Sequence, residues 1–320
     1  MRRTGAGILL GAALLLLPPL AGSTLQHLLV VICLYAYLGQ AWNLLGGYAG
    51  QFSFGHAAFF GVGAYTSTLL YMKLGVSPWI GLGAAGLAGL AVGLVCGYLS
   101  FRYGLKGPYF ALVMLAFAEM LRLLAENWAF TGAAQGILIP FQGAGWADFQ
   151  FQGKLPFYYI ALTMLALVTL LAWRLERSRA GYYLKALRED EEAADALGVN
   201  PFRYKLLAMA LSAGCTGAGG AFYAQYLLYI DPEITFGAAV SVEILLRPII
   251  GGAGTVLGPI LGSLLLTPLS ELSKVALRGH AGLHLMIYGA VLVLVILFLP
   301  RGIAGLGPAL RRRLQPGSEP

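Results

Sequence analysis

Apolar side chains arrive in this chain in long runs, at roughly 7–22, 25–46, 52–72, 76–101, 107–126, 155–173 and 206–230, then in a Gly/Pro-interrupted stretch at 240–270 and a last run at 282–299. About 20 apolar helical residues cross the ~30 Å hydrocarbon layer of a bilayer, and most of these runs reach that length. Lipid solvates such runs, whereas a water-soluble fold has no core large enough to hide them all. Charged residues make up 11% of the chain and apolar ones 58%, against about 25% charged in ordinary soluble domains. A soluble enzyme is excluded on that ground. A membrane β-barrel would alternate polar and apolar residues along each strand, which the unbroken runs deny. The 44 glycines and 15 prolines suit membrane helices, where both residues are commoner than in soluble ones. The expected fold is all-α: a polytopic integral membrane protein of about eight full spans plus a broken or re-entrant hairpin, about eight to ten crossings in all. Residues 1–320 then form a single transmembrane domain.

The first run also has the form of a signal peptide, with Arg2 and Arg3 ahead of Ile8 to Leu17 and small residues from Ala21 to Ser23. Whether it is cleaved or retained, Ser23 emerges outside. Lysine and arginine set the orientation. With the N-terminus inside, the inner segments collect fifteen of the 21 basic residues: Arg2, Arg3, Arg102, Lys106, Arg174, Arg177, Arg179, Lys185, Arg188, Arg203, Lys205, Arg301, Arg311, Arg312 and Arg313. The outer segments hold Lys73, Lys154, Lys274 and Arg278, while Arg122 and Arg247 lie in or beside apolar runs. The net charge of +7 is thus a matter of topology and does not point to nucleic acid. Parity then requires residues 240–270 to cross twice or not at all. Each half is short of a full span and Gly251-Gly252-Ala253-Gly254 and Gly258-Pro259 interrupt the middle, so a broken hairpin is expected, its irregular backbone buried in protein or lining a wet cavity.

Two connections are long. Residues 127–154 lie outside with few charges, and residues 174–205 lie inside with seven basic and six acidic side chains. In the inner one, Leu184, Leu187, Ala194 and Leu197 with the polar residues between them suit a short amphipathic helix, stopped by Gly198 and Asn200-Pro201. Too polar for lipid, it fits the groove of a soluble partner or lies on the surface as a charged loop.

Glu192-Ala193-Ala194 followed after three residues by Gly198 resembles the E-A-A-x-x-x-G motif of ABC importer permeases. Gly47-Tyr48-Ala49-Gly50-Gln51-Phe52-Ser53-Phe54-Gly55-His56, continuing to Tyr65, then Lys106-Gly107-Pro108-Tyr109-Phe110-Ala111, then Gly251-Gly252-Ala253-Gly254-Thr255 with Gly258-Pro259, resemble in order the motifs of LivM-type permeases of high-affinity branched-chain amino-acid importers. The likeness spans roughly residues 40–265. It implies a multi-pass permease subunit of a bacterial or archaeal inner membrane that moves leucine, isoleucine and valine into the cytoplasm. It also implies partners: a second homologous permease, two ATP-binding subunits and an extracytoplasmic substrate-binding protein, all around a subunit set in lipid. Glu192, Ala193, Ala194 and Gly198 would couple to the ATPase. Two departures are visible. The I-x-L-P tail of the older E-A-A consensus is absent after Gly198, and the long N-terminal extension of some relatives is missing. Importers of urea and short-chain amides use the same permease type, so cargo is less constrained than machinery.

Polar residues in the membrane are functional candidates because they are costly there. Gln40, Asn43, Gln51, Ser53 and His56 surround the Gly-rich break between the second and third runs. Gln51, Ser53 and His56 are the candidates for bordering the substrate path; hydrogen bonding between helices is the alternative. Glu119 with Arg122, and Glu243 with Arg247, have helical pair spacing and suit internal ion pairs. Proton coupling through either glutamate would suit a stand-alone secondary transporter instead. Gly81, Ala85, Gly89, Gly93 and Gly97 form a small-residue stripe, fit for a subunit seam or for packing within the chain. Gly254, Gly258 and Gly262 form a second ladder, facing the path or packing.

No catalytic group, cofactor or metal is expected. His280 and His284 stand four residues apart without the glutamate of H-E-x-x-H or a third ligand. Gly153-Lys154 lacks both the upstream glycine and the following hydroxyl of a Walker motif. An intramembrane enzyme would need a nucleophile and base or a metal set, and none stands out; ATP must be bound by other chains. Cys33, Cys96 and Cys215, scattered in apolar runs, read as reduced small hydrophobes.

Overall fold

The computed structural model describes residues 18–20, 22–143, 145–276, 289 and 302–305. The expectations for the first and last apolar runs, the leader, and His280 and His284 fall outside the described residues.

The long elements are helices: α1 (Ser23–Trp42), α2 (His56–Leu74), α3 (Pro78–Arg102), α4 (Gly107–Asn127), α5 (Leu155–Glu176), α6 (Arg179–Glu189), α7 (Glu191–Ala196), α8 (Pro201–Leu227), α9 (Pro232–Phe236), α10 (Ala238–Gly251) and α11 (Gly258–Ala276). Proline occupies the first positions of α3, α4, α5, α8 and α9, where its missing N–H costs no hydrogen bond and its fixed φ favours the helix. Asn200 and Asp231 cap α8 and α9 by accepting from the N–H of Arg203 and Ile234. Asn200-Pro201 therefore starts a helix as well as following a stop. α8 begins earlier than the apolar run because Lys205, 3% exposed, is neutralised by Glu191 at 2.6 Å.

Among the described residues, six segments are long and apolar enough to cross a membrane, including Ser23–Tyr48 and Pro232–Gly251. An all-helical polytopic membrane protein is what this architecture defines. Ser23–Tyr48 is 78% buried along its most apolar window while Gly107–Asn127 is 28% buried, so α1 runs through the middle and α4 leaves a broad apolar face uncovered by this chain. α2, α3 and α8 pack as one group; α1 packs with α5, α10 and α11.

The α3 stripe faces α8. A methyl group on Gly89 would come within 2.6 Å of the Ala213 carbonyl oxygen, and one on Gly217 within 2.5 Å of that of Ala85. The stripe is thus an internal seam and is not free to serve as a subunit seam.

The hairpin is present, with two corrections. Its descending arm is not short, because α9 and α10 together make the apolar stretch Pro232–Gly251. Its break, residues 252–257, does not interrupt mid-depth: it lies beside the turn after α1, at the end of the bundle that carries Arg102, Lys106 and the 174–205 loop, here called the basic end. The second ladder packs the arms together, for a Cβ on Gly262 would collide with the Arg247 carbonyl and one on Gly258 with that of Gly252.

At the opposite end, strand β1 (Ile137–Leu138) pairs antiparallel with β2 (Tyr229–Ile230). There Arg122 gathers Glu119, Glu126 and Glu233 at 2.6, 2.9 and 3.3 Å. Arg247 is buried, pairs with Glu243 at 3.6 Å and stacks on the Tyr35 ring. Both expected ion pairs form.

Candidate functional site

Three segments meet at the basic end. The first is the break after α1, where the chain makes a π-helical turn from Asn43 to Tyr48, passes Gly50 at φ +67° and enters α2 at His56. Ser53 and His56 are fully buried. Ser53 Oγ accepts from the Gly55 N–H at 3.1 Å, and its carbonyl accepts from Trp42 Nε1 at 2.9 Å. His56 Nε2 lies 2.8 Å from Ser212 Oγ, whose proton goes to the Ala41 carbonyl at 2.7 Å. With the serine proton committed to that carbonyl, Oγ accepts from Nε2, which is therefore the protonated nitrogen, and Nδ1 is then a buried acceptor with no partner. Gln51 donates to the Ala49 carbonyl at 3.3 Å and its Oε1 is likewise buried without a partner. Ser53 and His56 are buried and Gln51 is partly exposed.

The second segment is the hairpin tip. Asn43 Oδ1 accepts from the Gly254 N–H at 2.7 Å, Asn43 Nδ2 donates to the Thr255 carbonyl at 3.0 Å, and Gln40 Nε2 donates to the Val256 carbonyl at 2.9 Å. These bonds satisfy backbone groups that the irregular tip leaves without helical partners. Gln40 and Asn43, grouped in the sequence with the path candidates, are instead the clasp of the tip.

The third is the 174–205 loop. The expected single amphipathic helix is two, because Asp190 leaves helical geometry and accepts from the N–H groups of Glu192 and Ala193, both at 3.0 Å, so capping α7. Leu184, Leu187 and Ala194 are buried, but Leu197, expected on the packed face, is 85% exposed. The residue follows α7, where Gly198 at φ +87° ends the helix with nothing near its Cβ position. Glu192, Ala193 and Gly198 are exposed and Ala194 seats the helix on the bundle. Glu191 braces it from below, between Lys205 and Lys106 at 2.6 and 3.5 Å, beside a cleft of about 180 Å³ that also includes Phe101 and Phe202.

In the sequence Arg188 reads as a topological charge only. Its Nη1 donates to the Gly47 carbonyl at 2.7 Å, joining the loop to the break across 141 residues of chain. No local pattern announces such a contact. The described residues hold no cluster of three or more metal-ligating side chains.

The chain is a helical bundle with spans long and apolar enough to cross a membrane, irregular turns at one end and an exposed, braced helix beside them. Residues 24–296 match the family described as branched-chain amino acid transport system / permease component, and the chain belongs to that family. It is 32% identical over 293 residues to the high-affinity branched-chain amino acid transport system permease protein LivM of Escherichia coli, covering 84% of this chain and 67% of that protein. It is 23% identical to LivH of Salmonella typhimurium, a permease protein of the same named system, over 85% of this chain and 91% of LivH. The autoinducer 2 import system permease protein LsrC of Salmonella typhi is 25% identical over 89% of this chain and 88% of that protein. No solved structure matches. The protein is a multi-pass transport subunit of the inner membrane, not an enzyme.

Proposed function

We propose that the protein is the permease subunit of an ATP-driven importer for leucine, isoleucine and valine, with its basic end in the cytoplasm. Residues 1–320 act as a single transmembrane domain of about eight full spans plus the two arms of the hairpin. The 174–205 loop seats ATP-binding subunits through Glu192, Ala193, Ala194 and Gly198. A second homologous permease completes the path, and an extracytoplasmic binding protein delivers cargo to the β1–β2 end. Gln51, Ser53 and His56 border the path, the partly exposed Gln51 offering an uncharged group for brief contact with an amino acid's ammonium and carboxylate and the buried Ser53 and His56 standing behind it. Family membership supports the importer reading, and the likeness to LivM supports the cargo over that named for LsrC.

One observation carries the coupling role: a short helix whose Glu192, Ala193 and Gly198 stay open to solvent while Glu191 and Ala194 fix it to the bundle. Open space around Gly198 means that the Cβ of Gly198→Arg meets no atom of this chain within 4 Å, although φ +87° costs a side-chain-bearing residue about 1–3 kcal/mol. The variant is expected to reach the membrane at its normal level, abolish ATP-dependent uptake of radiolabelled leucine and fail to retain the ATP-binding subunits on purification. Normal uptake would sink the docking role of the loop.

A further inference from the structure

Arg188 ends α6 one turn ahead of the α7 docking helix, yet its guanidinium points away from the docking side into a slot. Gly254 and Gly50 border that slot, and Gly47 supplies the carbonyl at its end. A Cβ on Gly254 would collide with Arg188 Nη1, one on Gly50 would lie 2.9 Å from its Cγ, and one on Gly47 would collide with Asn43 Oδ1 and stand 2.6 Å from the Gly254 N–H. Nη1 donates to the Gly47 carbonyl at 2.7 Å. That carbonyl belongs to the C-terminal turn of the α1 segment, where the partial negative charge of a helix end favours a cation. Gly47 and Gly254 are in turn tied to each other through Asn43. One side chain from the loop therefore touches both irregular turns of the membrane domain, the break after α1 and the hairpin tip.

From this geometry we infer that Arg188 is a positioning residue for transport: it latches the two turns together while the loop is at rest, and movement of the loop withdraws it and frees them. The inference rests on the importer reading above. A planar, fixed fork of donors suits this task, since it holds a carbonyl while its edge packs against a second backbone. Both turns lie at the end through which cargo leaves in that reading, so a latch there keeps the exit shut until the loop moves. A hydrogen bond of this kind contributes modestly net, and more when one partner is charged, strong enough to bias a resting state and weak enough to be exchanged.

The test uses the whole importer in proteoliposomes, with radiolabelled leucine as probe. Wild-type retention of ATP-binding subunits is checked first; without it the importer reading fails before the latch is examined. Arg188→Ala is expected to keep the subunits bound and ATP turnover near normal, while leucine moved per ATP falls about tenfold or more and ATP-independent leak rises. Arg188→Lys, which can reach the Gly47 carbonyl with a single point charge, should fall between the two. A leucine-to-ATP ratio within about twofold of wild type in Arg188→Ala overturns the latch. So does loss of the ATP-binding subunits from that variant, which would make Arg188 part of the docking surface. If Arg188→Ala does not accumulate, Arg188→Lys decides alone: a lowered ratio supports the latch and an unchanged one overturns it.

Discussion

The α3–α8 seam and the basic-end junction hold backbone together by opposite means. Along the seam, Gly89, Gly93 and Gly97 meet Ala213, Met209 and Gly217 with no polar side chain between them. At the junction, Asn43, Gln40 and Arg188 bind backbone groups of segments far away in the chain, and Glu191 balances two lysines. Close packing forfeits its contacts steeply with any separation, so the seam has one good arrangement. Hydrogen bonds can be traded for others, or for water at the aqueous edge, at small net cost. A transport cycle that moves this subunit is therefore expected to leave α2, α3 and α8 as a rigid group and to rearrange the junction.

The comparison breaks most visibly if the seam tolerates bulk. Gly217→Leu would drive a side chain into the Ala85 carbonyl and the Gly89 backbone. Overpacking a well-packed core costs about 1–3 kcal/mol, and here the obstacle is main chain, so more than about 3 kcal/mol is expected. Immunoblots of membranes should show the variant strongly depleted, in contrast to Gly198→Arg and Arg188→Ala, which should accumulate. Normal levels with normal uptake would mean that the seam opens as readily as the junction.

Within the junction, burial grades the next effect. Lys205 is 4% exposed at its side chain and its carboxylate partner is Glu191 at 2.6 Å. Replacing Glu191 by Gln strands a buried ammonium, and removing one partner of a buried pair typically costs about 3–5 kcal/mol. The purified variant should lose thermal stability in detergent, and Glu191→Gln with Lys205→Met should recover most of it, since an apolar side chain needs no counter-ion. If the double variant is no better than the single one, the pair is not what holds α7 down.

How far this was legible in the sequence follows the same division. Spans were legible because apolar runs and the prolines that open α3, α4 and α5 are local signals. The broken hairpin was legible from Gly251 to Pro259, though not where its tip would dock, since that depends on Asn43, some 211 residues away from Gly254. The start of α8 was misjudged because Arg203 and Lys205 look unfit for a buried helix until Glu191 is brought beside the lysine. Leu197 was misplaced because Asp190 breaks the helical period. Of the path candidates, composition singled out Gln51, Ser53 and His56, but not Ser212 and Ser241, which bind His56 and the Ala57 N–H from other helices. Long-range partners carry no spacing, and Arg188 is the clearest case.

The smallest effect belongs to Lys106, and it separates charge from burial. This lysine shares Glu191 with Lys205, yet at 3.5 Å and with 55% of its side chain exposed. Water screens such a pair, and exposed ion pairs are typically worth about 0.2–1 kcal/mol. Lys106→Ala should therefore lower thermal stability slightly and only at low ionic strength, the difference fading as salt approaches the ~0.15 M range, where the Debye length falls to about 8 Å. Leucine moved per ATP should stay at the wild-type value, because Arg188 and the Gly47 and Gly254 turns are untouched. A drop in that ratio without loss of stability would place Lys106 in the moving part of the junction and extend it from the α6–α7 loop to the start of α4. A loss of stability as large as that of Glu191→Gln would show instead that both lysines are needed to hold the glutamate, and that the brace under α7 acts as a triad whose members cannot be graded by exposure.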